Sequence, residues 1–340
     1  MNRPRVGLDA RLTRQMSTGM RAYATELARR LPRVAPDIEF VAFSDGANFG
    51  WNEQIVLPLR LARSRLDLSH FLSLYTPAIA PRPYVLTIHD LIHVRFPRHF
   101  KAKVGPYYRS VVRFACARAQ VVITDDERTV RDLERYLGVP PTRVRVIPLG
   151  VNDRFLTAIE PFAAPRPYVL YSGNHRRHKD LPTLFAAWAS LPARLAVDLY
   201  LTGFDDLQFD RHAHRRPEGD VVFLGDVSAE ALAGYYAGAL ALVHPALAEG
   251  FGLPLLEAMA ARCPVVASEE SVPRVLRGAA LTFPAGDAQA AAEAVARLLT
   301  DTGLRERLTE EGRAKAQQLT WDQCARATAA LYREILEIGS

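Results

Sequence analysis

ALALVHPALAEGFGLPLLEAMAARCPVVAS, residues 239–268, holds the repeating unit of the fold in one stretch. The apolar run ALALVHPA (239–246) reads as a buried strand, the glycine-rich segment from Glu249 as a turn, the residues from Pro254 to Arg262 as a helix, and PVVAS (264–268) as the next strand. Strand, helical crossover and strand is how parallel sheets are built. Pro254 has a preset φ and no amide hydrogen, which suits the first turn of a helix. Glu249 then lies in the loop and Glu257 about one turn into the helix, so two acids can approach one ligand. Gly250 and Gly252 remove side chains where the backbone must come close, and the helix start leaves unpaired amides with partial positive charge, a place suited to a diphosphate. On this reading the amides hold phosphate oxygens while one carboxylate accepts from ribose hydroxyls and the other from sugar hydroxyls. A bare Glu-plus-eight spacing would equally fit a solvated acid pair beside an ordinary helix start. The residues between the two acids, and those further out, separate the readings.

Outward from this stretch the same alternation covers the chain. Strand-like runs at 5–10, 37–43, 67–72, 84–89, 120–124 and 143–147 alternate with helical patterns at 19–31, 102–117 and 127–137. Residues 148–167 bring Pro148, Gly150, Pro161, Pro165 and Pro167 together, the punctuation of a linker. A second series follows, with strands at 168–173, 195–203, 221–225, 239–245 and 264–268, helices near 181–190, 228–237 and 254–262, and closing helical stretches at 287–299 and 302–318. Continuous apolar strands with helical crossovers imply sheets covered on both faces. The fold class expected is α/β, with two Rossmann-like domains, 1–155 and 165–320, facing a central cleft.

Composition narrows the function classes. A chain of 340 residues that is 49% apolar can bury two cores. The most apolar long window, 231–248, is broken by Gly234, Gly238 and Pro245 and is unsuited to a membrane span, and the N-terminus has no apolar core of a signal peptide. Cys116, Cys263 and Cys324 are odd in number and set in apolar patterns, as expected of reduced, buried thiols in a cytoplasmic protein. His175 with His178, and His212 with His214, are the tight histidine pairs, and no Cys or carboxylate cluster completes a zinc set around either, so no metal site is expected.

The formal charge of +6 is unevenly spread: residues 1–160 hold 25 Lys/Arg against 15 Asp/Glu, net +10, which leaves −4 for the remainder. A basic N-terminal half suits an anionic partner such as lipid headgroups or a phosphate-bearing lipid acceptor, with Arg109 and Arg113 on one face of the 102–117 helix as candidate contacts. Arginine standing as ordinary solvated surface accounts for the same numbers. Nucleic acid fits less well, because the basic residues come without aromatic interleaving or a binding-module signature.

In open parallel sheets, ligands sit beyond the carboxyl ends of the strands. Thr18-Gly19 follows the first strand and opens a helix, as a phosphate or acceptor contact or as a plain cap. After YVLYS comes Gly173-Asn174-His175-Arg176-Arg177-His178-Lys179, a cationic loop in which Lys179 and one arginine, Arg177, are candidates to neutralise a diphosphate. His89 and Asp90 follow the strand at 84–89, a pairing that invites a general base, although no serine-nucleophile motif accompanies it. The run VVFLGDVS (221–228) offers backbone to a nucleobase, with Val227 at the edge of that pocket. No Asp-x-Asp occurs in the chain, so charge on a leaving diphosphate falls to Lys, Arg and helix amides, and no divalent ion is expected to be needed. No Gly-x-Gly-x-x-Gly follows any strand, which argues against a dinucleotide oxidoreductase.

EGFGLPLLEAMAARCPVVAS (249–268) resembles the signature of the retaining nucleotide-sugar glycosyltransferases of family four, in which paired glutamates bracket a glycine-rich turn. VIPLGVNDRF (146–155), YSGNHRRHKDLPTLFAAW (171–188), LTIHDLIHVRFP (86–97) and STGMRAYATELARRL (17–31) resemble further segments of that family, so the likeness spans nearly the whole chain. Arg262, where the family has a small residue, and Arg274, where it has an acid, depart from the pattern. The resemblance implies the glycosyltransferase-B architecture, with a C-terminal helix from Trp321 (321–340) returning to an acceptor-side first domain and the second domain holding the donor. It implies donor contacts from Gly19, Arg177, Val227 and Lys179, and from Glu249, Phe251, Gly252, Leu253 and Glu257. His89, Lys179 and Glu249 would line the reaction centre. It further implies retaining, metal-independent hexose transfer from a nucleotide-diphosphate sugar to a glycan or lipid-linked glycan. The His-Lys-Asp loop is most similar to bacterial mannosyl and rhamnosyl transferases of surface polysaccharide assembly, which favours GDP-mannose, with a UDP-sugar next. A glycosidase using both glutamates is disfavoured because the family places them against hydroxyls, not across a scissile bond. A nucleotide-sugar-binding pseudoenzyme would keep the donor residues but has no need of the His89 segment.

Overall fold

The computed structural model describes residues 3–11, 16–47, 50–99, 104–203 and 216–338. The chain divides into two compact units, Met1–Gly150 with Trp321–Ser340, and Val151–Thr320.

The first unit is a six-stranded sheet of β1 (Arg5–Asp9), β2 (Glu39–Phe43), β3 (Leu68–Phe71), β4 (Tyr84–Thr87), β5 (Val121–Thr124) and β6 (Val144–Val146), in the order β2-β1-β3-β4-β5-β6. Every pairing is parallel. Its helices are α1 (Thr18–Val34), α2 (Leu57–Arg63), α3 (Ile92–Arg95), α4 (Val104–Tyr107), α5 (Arg113–Arg118) and α6 (Glu127–Asp132). The helix expected over 102–117 runs from Val104 through α4, a π-turned stretch Tyr108–Val112 and α5, while residues 102 and 103 lie outside the described residues. Ser17 caps α1 by accepting from the Met20 amide, so Gly19 sits in the first turn of a helix that already has an ordinary cap. Between the sheet and the α4–α5 stretch, Phe71, Tyr84, Leu86, Tyr108 and Val112 form a core with almost no exposed surface.

In the second unit β7 (Tyr168–Tyr171), β8 (Asp198–Thr202), β9 (Val221–Gly225), β10 (Ala241–His244), β11 (Val265–Ser268) and β12 (Ala280–Phe283) form a sheet ordered β12-β11-β10-β7-β8-β9, again wholly parallel. The helices are α7 (Leu181–Ala189), α8 (Ala229–Gly238), α9 (Leu253–Ala260), α10 (Ala288–Thr300) and α11 (Thr302–Gln317). Strand direction of growth reverses between β7 and β10: the chain builds outward from β7 to β9, then returns to lay β10 on the other side of β7. That is the switch point at which the carboxyl-end loops diverge and leave room for a ligand. α7 and α10 cover one face, with Leu184, Trp188, Val295 and Leu298 packed on Val169, Leu199 and Val243.

The last helix, α12 (Trp321–Ile338), packs along α1 in the first unit. It places Tyr332 beneath β3 and β4, where His70 bonds both the Tyr332 hydroxyl, at 2.5 Å, and Thr87 Oγ1, at 2.8 Å. All three cysteines are buried and free. Among the described residues no helix is long and apolar enough to cross a membrane.

Candidate active site

The loops after β7 and β10 meet at the switch point of the second unit. After β7, the backbone turns at Gly173 (φ 144°), and Gly203, the first residue past β8, passes so close that a Cβ there would stand 2.0 Å from the Gly173 carbonyl oxygen. Only glycine allows that approach. A 3₁₀ turn, Arg177–Lys179, then leads into α7 through Asp180, which holds a left-handed φ of 53° while its carboxylate accepts from Thr183 Oγ1 at 2.6 Å. The β10 loop is pinned to this turn by the Leu247 amide on the His178 carbonyl, 2.8 Å.

This clamp brings Lys179 to Glu249. Lys179 Nζ donates to both carboxylate oxygens of Glu249 at 2.6 Å, and each side chain keeps only 9% of its surface exposed. His244, the last residue of β10, is fully buried, stacks on Tyr171, and sets its Nε2 3.4 Å from Glu249 Oε1. Burial alone would raise the Glu249 carboxyl, but Lys179 and His244 outweigh it and hold the group well below the usual carboxylate range. Burial lowers His244 in turn, leaving a neutral imidazole. The sequence assigned Lys179 and Glu249 to separate contacts, and here they are bonded to each other, as opposite charges in a shielded crevice are.

Glu257 stands apart from that pair. It lies one turn into α9 and accepts from the Tyr236 hydroxyl at 3.3 Å, and its burial pushes the carboxyl up to about 7. Gly252 is in the left-handed region, φ 79°, and no side chain caps α9; Pro254 carries no amide hydrogen and the Leu255 and Leu256 amides donate to the Gly252 carbonyl, which leaves the Leu253 amide at the uncapped helix start. Phe251 is buried, and Leu253 and Pro254 are half-buried at the helix start. Arg313 holds the far end of α9, donating to the carbonyls of Ala260, Phe155 and Leu156. Arg177 is exposed, and Val227 is half-buried in the β9–α8 loop at the outer edge of the sheet.

In the first unit, His89 follows β4 and Asp125 follows β5. His89 Nδ1 lies 2.7 Å from Asp125 Oδ2, and the edge of the Tyr23 ring meets the imidazole at 4.7 Å between centroids. His89 Nε2 is buried without a hydrogen-bond partner. Burial opposes charge on the imidazole, but Asp125 outweighs it and His89 titrates above its ordinary value. Asp90 instead caps the local turn, accepting from the Ile92 amide at 3.0 Å. Asp125, His244 and Tyr236 were not singled out from the sequence. The strand-end rule that found His89 applies equally to Asp125, the first residue past β5. His175 Nε2 donates to the Thr202 carbonyl, 3.0 Å away, and His212 and His214 lie outside the described residues.

Two family models match, "Glycosyltransferase Family 4" over residues 34–155 and "Glycosyl transferases group 1" over residues 153–315. The phosphatidyl-myo-inositol mannosyltransferase of Mycobacterium leprae is 34% identical over 288 residues, covering 79% of this chain and 72% of that protein. The chain belongs to the group 1 glycosyltransferases. O-antigen chain mannosyltransferase B of Escherichia coli is 28% identical over 265 residues, 73% of this chain and 70% of its own length. The crystallised sucrose-phosphate synthase of Thermosynechococcus elongatus superposes with a TM-score of 0.74 at 21% identity, covering 99% of this glycosyltransferase and 100% of that chain, a likeness of fold. The α/β architecture of two parallel six-stranded sheets is thus that of the glycosyltransferase-B enzymes.

Proposed function

We propose that this glycosyltransferase moves a hexose, mannose first, from a nucleotide-diphosphate sugar to a hydroxyl of a glycan or lipid-linked glycan in bacterial polysaccharide assembly. Transfer proceeds with retention and without a metal ion, and the second unit holds the donor while the first holds the acceptor. The observation that carries this reading is the buried Lys179–Glu249 pair at the switch point, beside the uncapped start of α9. The diphosphate takes the Leu253 amide at the start of α9 and a share of Lys179, with Arg177 at the rim. Glu249, released in part from Lys179, accepts from sugar hydroxyls. Glu257 accepts from the ribose, and Gly252, Phe251 and Leu253 shape the floor, with Val227 at the nucleobase, Gly19 as a further donor contact and His89 beside the transferred sugar and the acceptor. The bond from the anomeric carbon to phosphate breaks as the acceptor oxygen bonds to that carbon on the same face, and the leaving phosphate oxygen receives the acceptor's proton. Lys179 and the Leu253 amide stabilise the charge that grows on the phosphate.

Mannose is supported by the names of two relatives, both mannosyltransferases. The basic N-terminal half supports an enzyme that works at an anionic membrane surface. The test is transfer from GDP-mannose and UDP-sugars to a bacterial lipid extract, with and without EDTA, and NMR of the product's anomeric centre. Expected are turnover with GDP-mannose that survives chelation and a product with the donor's configuration. Activity abolished by EDTA and restored by manganese or magnesium would overturn the metal-free step, and an inverted product the retaining one.

A further inference from the structure

The segment from Trp51 to Arg65 is apolar on both sides, and the core accounts for one of them. Toward the interior it sends Leu57 and Leu61, together with Glu53, which accepts from Gln54 and Tyr107 and lies near Arg11. Toward water it sends Trp51, 79% exposed, Ile55, 42%, Val56, 43%, and Leu59, 49%. Steps of four residues put Trp51, Ile55 and Leu59 on one face of the helical stretch Asn52–Arg63. A contiguous apolar face of this kind on a protein surface marks a docking site.

Charge says what docks. Arg63 and Arg65 are exposed beside the apolar face and Arg60 is half-exposed, while the acid within the segment, Glu53, is fully buried. Asp45 lies 3.9 Å from Arg60, across a depression of about 200 Å³ lined also by Asn52 and Leu57. An apolar stripe with cations at its end matches a bilayer in which acyl chains adjoin acidic headgroups. We propose that the Trp51–Arg65 face seats the first unit on a membrane rich in anionic lipid, with Trp51, Ile55 and Leu59 entering the headgroup boundary and Arg63 and Arg65 meeting phosphate. This rests on the reading of a lipid-linked acceptor for its purpose, but its test does not.

The chain carries its own probe. Of its three tryptophans, Trp188 and Trp321 are each only 2% exposed, so a change in emission on adding vesicles reports Trp51. Full-length protein is sedimented with vesicles of phosphatidylcholine alone and with added phosphatidylglycerol, and its emission and quenching by acrylamide are recorded. The proposal expects a blue shift and protection with acidic vesicles, at least about tenfold weaker binding for Trp51→Ser with Leu59→Ser, and loss of the acidic preference for Arg63→Glu with Arg65→Glu. Far-ultraviolet circular dichroism checks that the variants fold, and donor hydrolysis without vesicles, unchanged in them, separates docking from chemistry. No emission change with any vesicle would overturn the proposal. So would loss of binding on reversing Arg109 and Arg113 while the Trp51 and Leu59 variant still binds. Concentration-dependent dimers abolished by the Trp51 and Leu59 changes would give the face to a second copy of this chain and overturn it as well.

Discussion

Lys179 Nζ lies 2.6 Å from both carboxylate oxygens of Glu249, a contact across 70 residues of chain that joins the loops after β7 and β10. With both side chains nine-tenths buried, removing either partner strands a charge in a shielded crevice. Lys179→Met and Glu249→Leu should each cost about 3–5 kcal/mol of stability, and the double change less than their sum, since it strands no charge. Urea unfolding of the four proteins measures the coupling. Strict additivity would mean that the pair contributes nothing as a pair.

The same lysine should matter most when charge builds on the leaving group. Lys179→Arg keeps a cation in place and should fold nearly as well as the parent, while lowering kcat more than it raises the donor KM. Steady-state kinetics with saturating acceptor decide it. A loss confined to KM would contradict the role given to Lys179.

Glu257 and Glu249 should give opposite signs to the pH dependence of stability. Glu257 titrates near 7 in the folded chain against 4.5 ordinarily, so the folded state holds its proton longer. Stability from this group is therefore greatest below about pH 4.5 and declines as pH rises through 7, by roughly 3 kcal/mol in all. Glu249 is held below its ordinary value, and its contribution is present at neutral pH and lost as pH falls below about 4.5. Glu257→Gln should remove the first slope and leave the second, as melting temperatures from acid pH, well below 4.5, up to pH 8 would show.

How much of this was legible in the sequence varies with the kind of contact. Eleven of the strands stood out because buried parallel strands are continuous apolar runs, as YVLY and ALVH are. β12, ALTF, did not: it is four residues long with a threonine inside it, too short a run to stand out, although the edge strands β2, β6 and β9 were read. The helical stretch 52–63 was missed for another reason: with apolar residues facing both core and water it has no single stripe. Glu249 was readable from its motif, but its bond to Lys179 depends on β10 lying beside β7, which strand order alone supplies. The bond from Asp125 to His89 is the same case, hidden until β5 is known to flank β4.

Asp125 should prove to be a positioning residue. Its bond to His89 Nδ1 keeps the proton there and leaves Nε2, buried and without a hydrogen-bond partner, as the accepting nitrogen. Asp125→Asn, with Asp90 and Asp126 still nearby, should lower the His89 pKa, move the pH-rate limb it governs to lower pH, and reduce kcat about tenfold or more with little change in donor KM. Imidazole nitrogen shifts measured by NMR report the tautomer independently of activity. An unaltered tautomer and pH profile would reduce Asp125 to a packing residue.

Arg262 explains its own oddity. It ends α9's turn with φ 64°, a left-handed conformation that favours glycine and accounts for the small residue expected there. Its ion pair with Glu310 is exposed on both sides and adds little. Arg262→Gly should raise stability by about 0.5–1 kcal/mol, the relief of left-handed strain exceeding glycine's entropy cost. A lowered melting temperature would show that the Glu310 contact matters more than the backbone.

On the function proposed above, the crevice between the β7 and β10 loops binds a nucleotide-diphosphate sugar through Glu257 and the Lys179–Glu249 pair. Calorimetric titration of GDP-mannose into the parent chain and into Glu257→Gln tests it most directly. The account predicts saturable one-to-one binding to the parent and affinity weakened in the variant by roughly 1–3 kcal/mol. Equal affinity in the two proteins, or no binding of any nucleotide sugar to the parent, would contradict it.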